Sequence, residues 1–339
     1  MEAVVLLIFG LALALFMAWN LGANDAATPT SCAVGSGAIS VKKAVILFAV
    51  FAFIGALAQG FMNIKTIGTG IVSDIDVLGA FTITLSACLW VTFCTWKGLE
   101  ISNTYSVVGA VIGYGLGAAK SFDSVNQLLV MVFASWMLSP ICAMALSLGL
   151  YLFLARLLRR FSDDERTFKV LTYLLIGGLC FSAYSYGAND VGNSVGVYIT
   201  VAQEVGNVPG TTAVFMLSAL GALGVVVGGL TWGYRVIETV AYKIIRLDVV
   251  SGFAAELANA LVVYLFVTLP YMVFGFGLPI STSIASVGAI IGAGLGRDPK
   301  SINKSTILHL ILIWAVTVPA TAAISFLIYK AATLVALII

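Results

Sequence analysis

With 339 residues, 61% of them hydrophobic and only 9% charged, and a mean hydropathy of +1.09, the chain is far from a soluble globular domain, where about a quarter of residues are charged. The net charge of +2 carries no message about partners, and no basic tract points to nucleic acid. Apolar runs of about 20 residues, each enough to cross a bilayer, fill most of the sequence and indicate an all-α polytopic membrane protein.

The start, Met1 to Met17, has one acidic residue and no basic region ahead of its apolar run. It reads as a first membrane helix and not as a cleaved signal. That run, 3–21, ends at Gly22-Ala23-Asn24-Asp25. The next stretch, 26–39, is rich in Gly, Ser and Thr and contains Pro29, which suits a broken or closely packed helix. Lys42-Lys43 mark a membrane edge before a span over 44–62. The charged, glycine-bearing 63–76 is expected at an interface, and 77–96 spans again. Lys97 and Glu100 are expected at a membrane edge. A polar cluster follows with Ser102, Asn103, Thr104 and Ser106. Glycines at 109, 113 and 117 then give a small-xxx-small face that allows close helix approach.

A long span over 127–158 contains Pro140, where a kink is expected. The segment after it holds Arg156, Arg159, Arg160, Arg166 and Lys169 with Asp163, Asp164 and Glu165. It is the largest basic cluster, which places it in the cytoplasm and makes 159–169 a linker between halves 1–158 and 170–339. The second half repeats the plan. An apolar run leads to Gly187-Ala188-Asn189-Asp190, spans follow over 211–232 and 253–276 with an amphipathic charged stretch over 235–248 between them, and a second polar cluster stands at Pro279, Ser281, Thr282 and Ser283. Residues 305–327 and an apolar tail complete the chain.

Of the remaining polar residues, Gln59, Glu238, Glu256 and Asn259 divide evenly between packing and function. His309, the single histidine, reads as structural or interfacial. Cys32, Cys88, Cys94, Cys142 and Cys180 form no metal-type pair and read as small buried apolar residues.

The repeat survives alignment. Asp190 stands 165 residues after Asp25, and at an offset of 179 Gly98-Leu99 falls on Gly277-Leu278, Ile101-Ser102 on Ile280-Ser281, and Val108-Gly109-Ala110 on Val287-Gly288-Ala289. Gly113, Gly115, Leu116 and Gly117 fall on Gly292, Gly294, Leu295 and Gly296. An odd number of crossings per half, about five here, would invert one copy relative to the other. Such repeats with broken or re-entrant helices are a common transporter plan, with the site near the midplane.

The motifs carry matching chemistry. Ser102-Asn103-Thr104 and Ser281-Thr282-Ser283 each precede a helix-like run, and a helix N-terminus offers free N–H donors and partial positive charge to an oxyanion. Neither triplet contains a basic residue, so a co-bound cation would offset the anion. Asn24-Asp25 and Asn189-Asp190 supply the carboxylate and amide oxygens that a hard cation needs. An intramembrane carboxylate is costly enough to mark a site. Sodium and protons both remain open at this point.

These paired motifs, Gly-Ala-Asn-Asp and Gly-Leu-Pro-Ile-Ser-Thr-Ser with its first-half counterpart, resemble the inorganic phosphate transporter (Pit) family. Arg235-Val236-Ile237-Glu238-Thr239-Val240 adds to the resemblance, which covers essentially the whole chain. It implies phosphate uptake by cation symport through two inverted repeats, often in a homodimer in the plasma membrane. It assigns phosphate binding to Ser102, Asn103, Thr104, Ser281, Thr282 and Ser283, and sodium ligation to Asn24, Asp25, Asn189 and Asp190, with no cofactor beyond the co-transported ion. Three positions depart from the family pattern. Glu100 replaces Pro and Asn103 replaces Thr; the His after the triplet is Tyr105 in one copy and Ile284 in the other; Lys65 stands opposite Glu238. The missing histidines favour sodium over protons. Transport of another oxyanion such as sulfate is the near alternative and a passive channel a more distant one. An enzyme is excluded by the lack of a nucleophile–base arrangement or a His-Glu-x-x-His motif.

Overall fold

A computed structural model describes residues 2–72, 74–120, 126–158, 165–243 and 247–338, and every regular element among them is helical. The first part of the expected linker, 159–164, lies outside the described residues, as does the side chain of Glu238. In the first half α1 (Glu2–Asp25) leads to a short α2 (Ser31–Gly35), α3 (Val41–Gln59) and α4 (Phe61–Lys65), which continues into a π-helical turn at Thr66–Gly70. Then come α5 (Val77–Trp96), α6 (Asn103–Gly117) and α7 (Asn126–Leu158). In the second half α8 (Glu165–Val195) passes through a 3-10 turn into α9 (Ile199–Glu204), followed by α10 (Gly210–Lys243), α11 (Val249–Phe274), α12 (Thr282–Arg297) and α13 (Lys304–Ile338).

Eight helical segments among the described residues are long and apolar enough to cross a membrane, four in each half. The expectation of about five crossings per half is corrected by α6 and α12. With 15 and 16 residues they reach about 23 Å at about 1.5 Å per residue, short of the roughly 30 Å hydrocarbon core. Two further boundaries change. The apolar tail belongs to the single helix α13, and α10 runs on through the first part of the expected amphipathic stretch.

The halves are interleaved. α1 lies along α10 and α8 along α3, while α6 packs on α13 and α12 on α7. Each of these pairs joins one half to the other, and each has its counterpart under exchange of halves. Glycine makes the closest crossings possible. A Cβ on Gly22 would strike the Val225 carbonyl of α10, and one on Gly187 the Ala52 carbonyl of α3. The small-residue faces act likewise, with Gly113 against the Ala322 carbonyl of α13 and Gly292 against that of Met144 on α7. α7 and α13 form the flanks and present Val130, Phe133, Met137, Leu308, Leu312 and Leu327 outward, as a lipid-facing surface does.

Several local expectations are corrected. The 63–76 segment, expected at an interface, is largely buried within the protein: Asn63, Ile64, Thr66, Ile67, Ile71, Val72 and Ile75 are buried, while Lys65, Thr69, Asp74 and Asp76 are exposed. Glu100 is buried too, while Lys97 is exposed; the chain turns inward between them at Gly98, whose φ is +68°. Cys32, Cys88 and Cys94 are buried as expected, but Cys142 is exposed on the outer face of α7 and Cys180 is half-buried. In an apolar surround a thiol behaves as a small hydrophobe, so neither position is costly. Pro140 lies inside α7, as the expected long span has it, and the helix continues through it. His309 is exposed on α13.

Candidate functional site

The two polar triplets sit where the sequence places them, at helix starts. Ser102 caps α6 by accepting the Tyr105 N–H at 3.2 Å, and Ser281 caps α12 by accepting the Ile284 N–H at 3.3 Å. A serine cap satisfies the third N–H of its helix. The N–H groups of the first two residues, Asn103 and Thr104 in α6 and Thr282 and Ser283 in α12, have no intrahelical acceptor. The two starts converge: the Thr104 hydroxyl donates to the Ile280 carbonyl just ahead of α12 at 3.0 Å.

The asparagines of the two Gly-Ala-Asn-Asp copies hold the extended segments that lead into these helices. Asn24 Oδ1 accepts the Ile101 N–H at 3.4 Å, while its Nδ2 donates to the Leu99 carbonyl at 3.1 Å and to Thr95 Oγ1 at 3.0 Å. Asn189 Oδ1 accepts the Ile280 N–H at 3.3 Å, and its Nδ2 donates to the Ile280 carbonyl at 2.9 Å and to Asp190 Oδ2 at 3.1 Å. Ile101 and Ile280 are equivalent in the repeat, so one clamp is built twice.

The aspartates reach across to the other half. Ser283 Oγ donates to Asp25 Oδ1 at 3.4 Å, and the Thr28 hydroxyl lies 3.5 Å from the same Oγ. In the mirror arrangement Asn193 Nδ2 donates to Asp190 Oδ1 at 2.8 Å and to Thr104 Oγ1 at 3.1 Å. Thr28 and Asn193 each follow their aspartate by three residues, and Ser283 and Thr104 are each the third member of a triplet. The Asn103 side chain lies beside Asp25, and that of Thr282 beside Asp190.

All ten residues singled out from sequence are thus brought to one place, and none is more than 2% exposed. Side chains that sequence reasoning missed complete the site. Asn63 donates from Nδ2 to Asn189 Oδ1 at 2.8 Å and to the Asn189 carbonyl at 3.0 Å. Tyr186, one turn before Asp190, is fully buried near both carboxylates, and its hydroxyl has no partner among the described residues. Glu100 adds a third carboxyl to the electrostatic surroundings of Asp25. Thr28 and Asn193 could have been found by extending the repeat alignment three residues beyond the motif. Asn63 has no repeat signal.

The hydrogen bonds to the two carboxylates come from hydroxyls and amides. Neutral donors of this kind leave negative charge uncompensated, and burying an unpaired ion costs several kcal/mol. The arrangement can therefore take an oxyanion at the helix starts together with hard cations at the carboxylates. A pocket of about 640 Å³, lined in part by Leu57, Phe61, Lys65, Gln203 and Ser218, contains none of the ten residues.

A family model described as the phosphate transporter family matches residues 21–325. The chain is 32% identical to a candidate phosphate permease of Pyrococcus abyssi, across 96% of this chain and 97% of that one. It is 27% identical to a chloroplastic inorganic phosphate transporter of Arabidopsis thaliana, across 91% of this chain and 69% of the other. Among solved structures it is similar to one described as the sodium-dependent phosphate transporter, with a TM-score of 0.84 and 26% identity over 97% of this chain and 99% of that one. The multi-pass helical fold and the sequence match over nearly the whole length agree: this is a membrane transporter and not an enzyme, and the chain belongs to the phosphate transporter family.

Proposed function

We propose that the chain imports inorganic phosphate together with sodium by alternating access around the buried site. One observation carries this reading: each half's aspartate meets the hydroxyl cluster of the other half, so anion and cation positions are contiguous and shared between halves. Phosphate lies at the starts of α6 and α12, bound by Ser102, Asn103, Thr104, Ser281, Thr282 and Ser283. Sodium lies at Asp25 and Asp190, with Asn24 and Asn189 holding the adjacent backbone in place. Sodium is favoured over protons because Tyr105 and Ile284 stand where the family commonly has histidine, which leaves no imidazole beside the triplets.

The halves, 1–158 and 170–339, act as structural repeats joined by a cytoplasmic linker at 159–169, in a plasma-membrane homodimer. The interleaved helix pairs support the repeat relation, since rocking one set of helices against the other would exchange equivalent contacts. Radiolabelled phosphate uptake into proteoliposomes, with sodium and pH gradients imposed separately, tests the proposal. Uptake should concentrate phosphate under an inward sodium gradient and persist in the presence of equimolar sulfate. Uptake driven by the pH gradient alone would replace sodium with protons. Full inhibition by sulfate would replace the substrate.

A further inference from the structure

The pocket of about 640 Å³ that stands apart from the ten site residues lies where α4 and its π-helical turn, α9 and the start of α10 meet. Its polar lining is Lys65, Thr69, Gln203, Thr211 and Ser218, and among the described residues no acidic side chain lines it. Lys65 has no ion-pair partner among them either. The π-helical turn, a rare element found mostly at functional sites, carries Thr69, whose hydroxyl donates to the Lys65 carbonyl at 2.8 Å. Gln203 folds over the start of α10, with its Nε2 at 2.9 Å from where a Cβ on Gly210 would stand. The N–H groups of Gly210 and Thr211 have no intrahelical acceptor. Ser218, two turns further along α10, is only 2% exposed and lines the pocket from within.

We propose that this pocket binds the headgroup of an anionic phospholipid. The lipid phosphate lies against Lys65, with Thr69, Gln203 and the start of α10 as donors, and the upper acyl chain follows Phe61, Val214 and Phe215 outward. Depth supports this occupant. The membrane-crossing part of α10 begins at Gly210, so the pocket sits at a membrane edge. Gly206, Asn207 and Pro209 are exposed ahead of it, and Phe215 and Met216 are exposed on the apolar flank beyond it. Charge supports it too. Lys65 brings one positive charge that nothing in the pocket offsets, and hydroxyl, amide and backbone N–H donors suit phosphate oxygens. A zwitterionic headgroup would bring a cationic group for which the pocket holds no acid. A free phosphate ion would leave the apolar wall uncovered.

The shared fold does not require this charge, since Glu238 stands opposite Lys65 in the repeat. The inner face of the same segment reaches the transport site. Asn63 donates to Asn189, and the Thr66 hydroxyl donates to the Gly277 carbonyl at 2.7 Å, just ahead of the second polar cluster. A lipid held at Lys65 therefore steadies the segment that braces the Asn189 clamp, and transport responds to the composition of the bilayer.

The test has two readouts. In detergent, thermal midpoints are titrated with phosphatidylglycerol or phosphatidylcholine, without and with saturating inorganic phosphate. Phosphatidylglycerol should raise the midpoint and phosphatidylcholine should not. Lys65→Gln should raise the phosphatidylglycerol concentration for half the shift by about fivefold, the weight of one basic residue beside an anionic lipid, and Lys65→Arg should restore it. Thr211→Val, at an exposed position that spares the fold, should raise it severalfold. In proteoliposomes, uptake should fall when phosphatidylcholine replaces phosphatidylglycerol, and Lys65→Gln should be indifferent to that exchange. Equal shifts with the two lipids, or a wild-type requirement in both Lys65→Gln and Thr211→Val, overturn the site. A higher phosphatidylglycerol requirement in the presence of inorganic phosphate also overturns it, in favour of a second position for free phosphate. Wild-type uptake that ignores the lipid exchange overturns the link to the transport site. The thermal titration needs no ion gradient, so it judges the lipid site whether or not sodium drives uptake.

Discussion

Asp25 and Asp190 are the residues on which transport turns in this reading, because the side chains around them donate neutral hydrogen bonds and leave their charge to be met by cargo. Asp25→Asn and Asp190→Asn preserve shape and remove that charge. Each should raise the sodium requirement for phosphate uptake by about 30-fold, corresponding to roughly 2 kcal/mol for one charge-assisted contact, with the protein still folded by size-exclusion chromatography. Wild-type sodium dependence in both variants would remove the aspartates from the cation path. Asn63→Leu is a different case. It takes away both hydrogen bonds from Asn63 Nδ2 to Asn189 and loosens the Asn189 clamp on Ile280, so uptake should fall through weaker phosphate affinity at an unchanged sodium midpoint, checked by titrating each ion separately. The aspartates were legible in sequence because a carboxylate in an apolar run is conspicuous and occurred twice. Asn63 was hidden by its neighbours: Lys65, Asp74 and Asp76 made the whole segment look interfacial, although Asn63 itself is fully buried.

At the level of elements, α6 and α12 explain why the crossing count could not be read from hydropathy. Both are apolar and glycine-rich, yet each is too short to span and begins deep in the protein, where its serine cap and clamping asparagine replace the water that would otherwise solvate a helix start. What was legible was the helix start itself, since a Ser/Thr/Asn cluster before an apolar run is a capping signal. These helices depend on close backbone approach to α13 and α7. Gly113→Val and Gly292→Val should each destabilise the fold by about 3 kcal/mol through overpacking, seen as a lower thermal midpoint in detergent. Gly149 of α7 is the control, because nothing lies within 4 Å of a Cβ placed there. A Gly149→Val midpoint as low as that of Gly113→Val would show that helix propensity, and not interhelical contact, sets the loss.

On the scale of the whole molecule, the sequence repeat announced two related halves but not that they interleave. Equal offsets along a chain carry no information about which helix lies beside which. That followed only from packing, where α1 pairs with α10 and α8 with α3. Interleaving has a consequence for the proposed cycle: moving one half would shift helices of the other, so that opening on one side of the site would accompany closing on the opposite side. Gln203, exposed at the rim of the pocket lined also by Lys65 and Ser218, offers a reporter for that motion because it lies outside the ten site residues. In a background with the five native cysteines replaced, Gln203→Cys should react with a membrane-impermeant maleimide at one rate without substrates and at a different rate when sodium and phosphate are both present. Neither ion alone should produce the full change, since the anion and cation positions complete one another across the halves. An identical labelling rate under all four conditions would mean that the helices lining this pocket stay fixed during transport, and alternating access by movement of these elements would have to be abandoned.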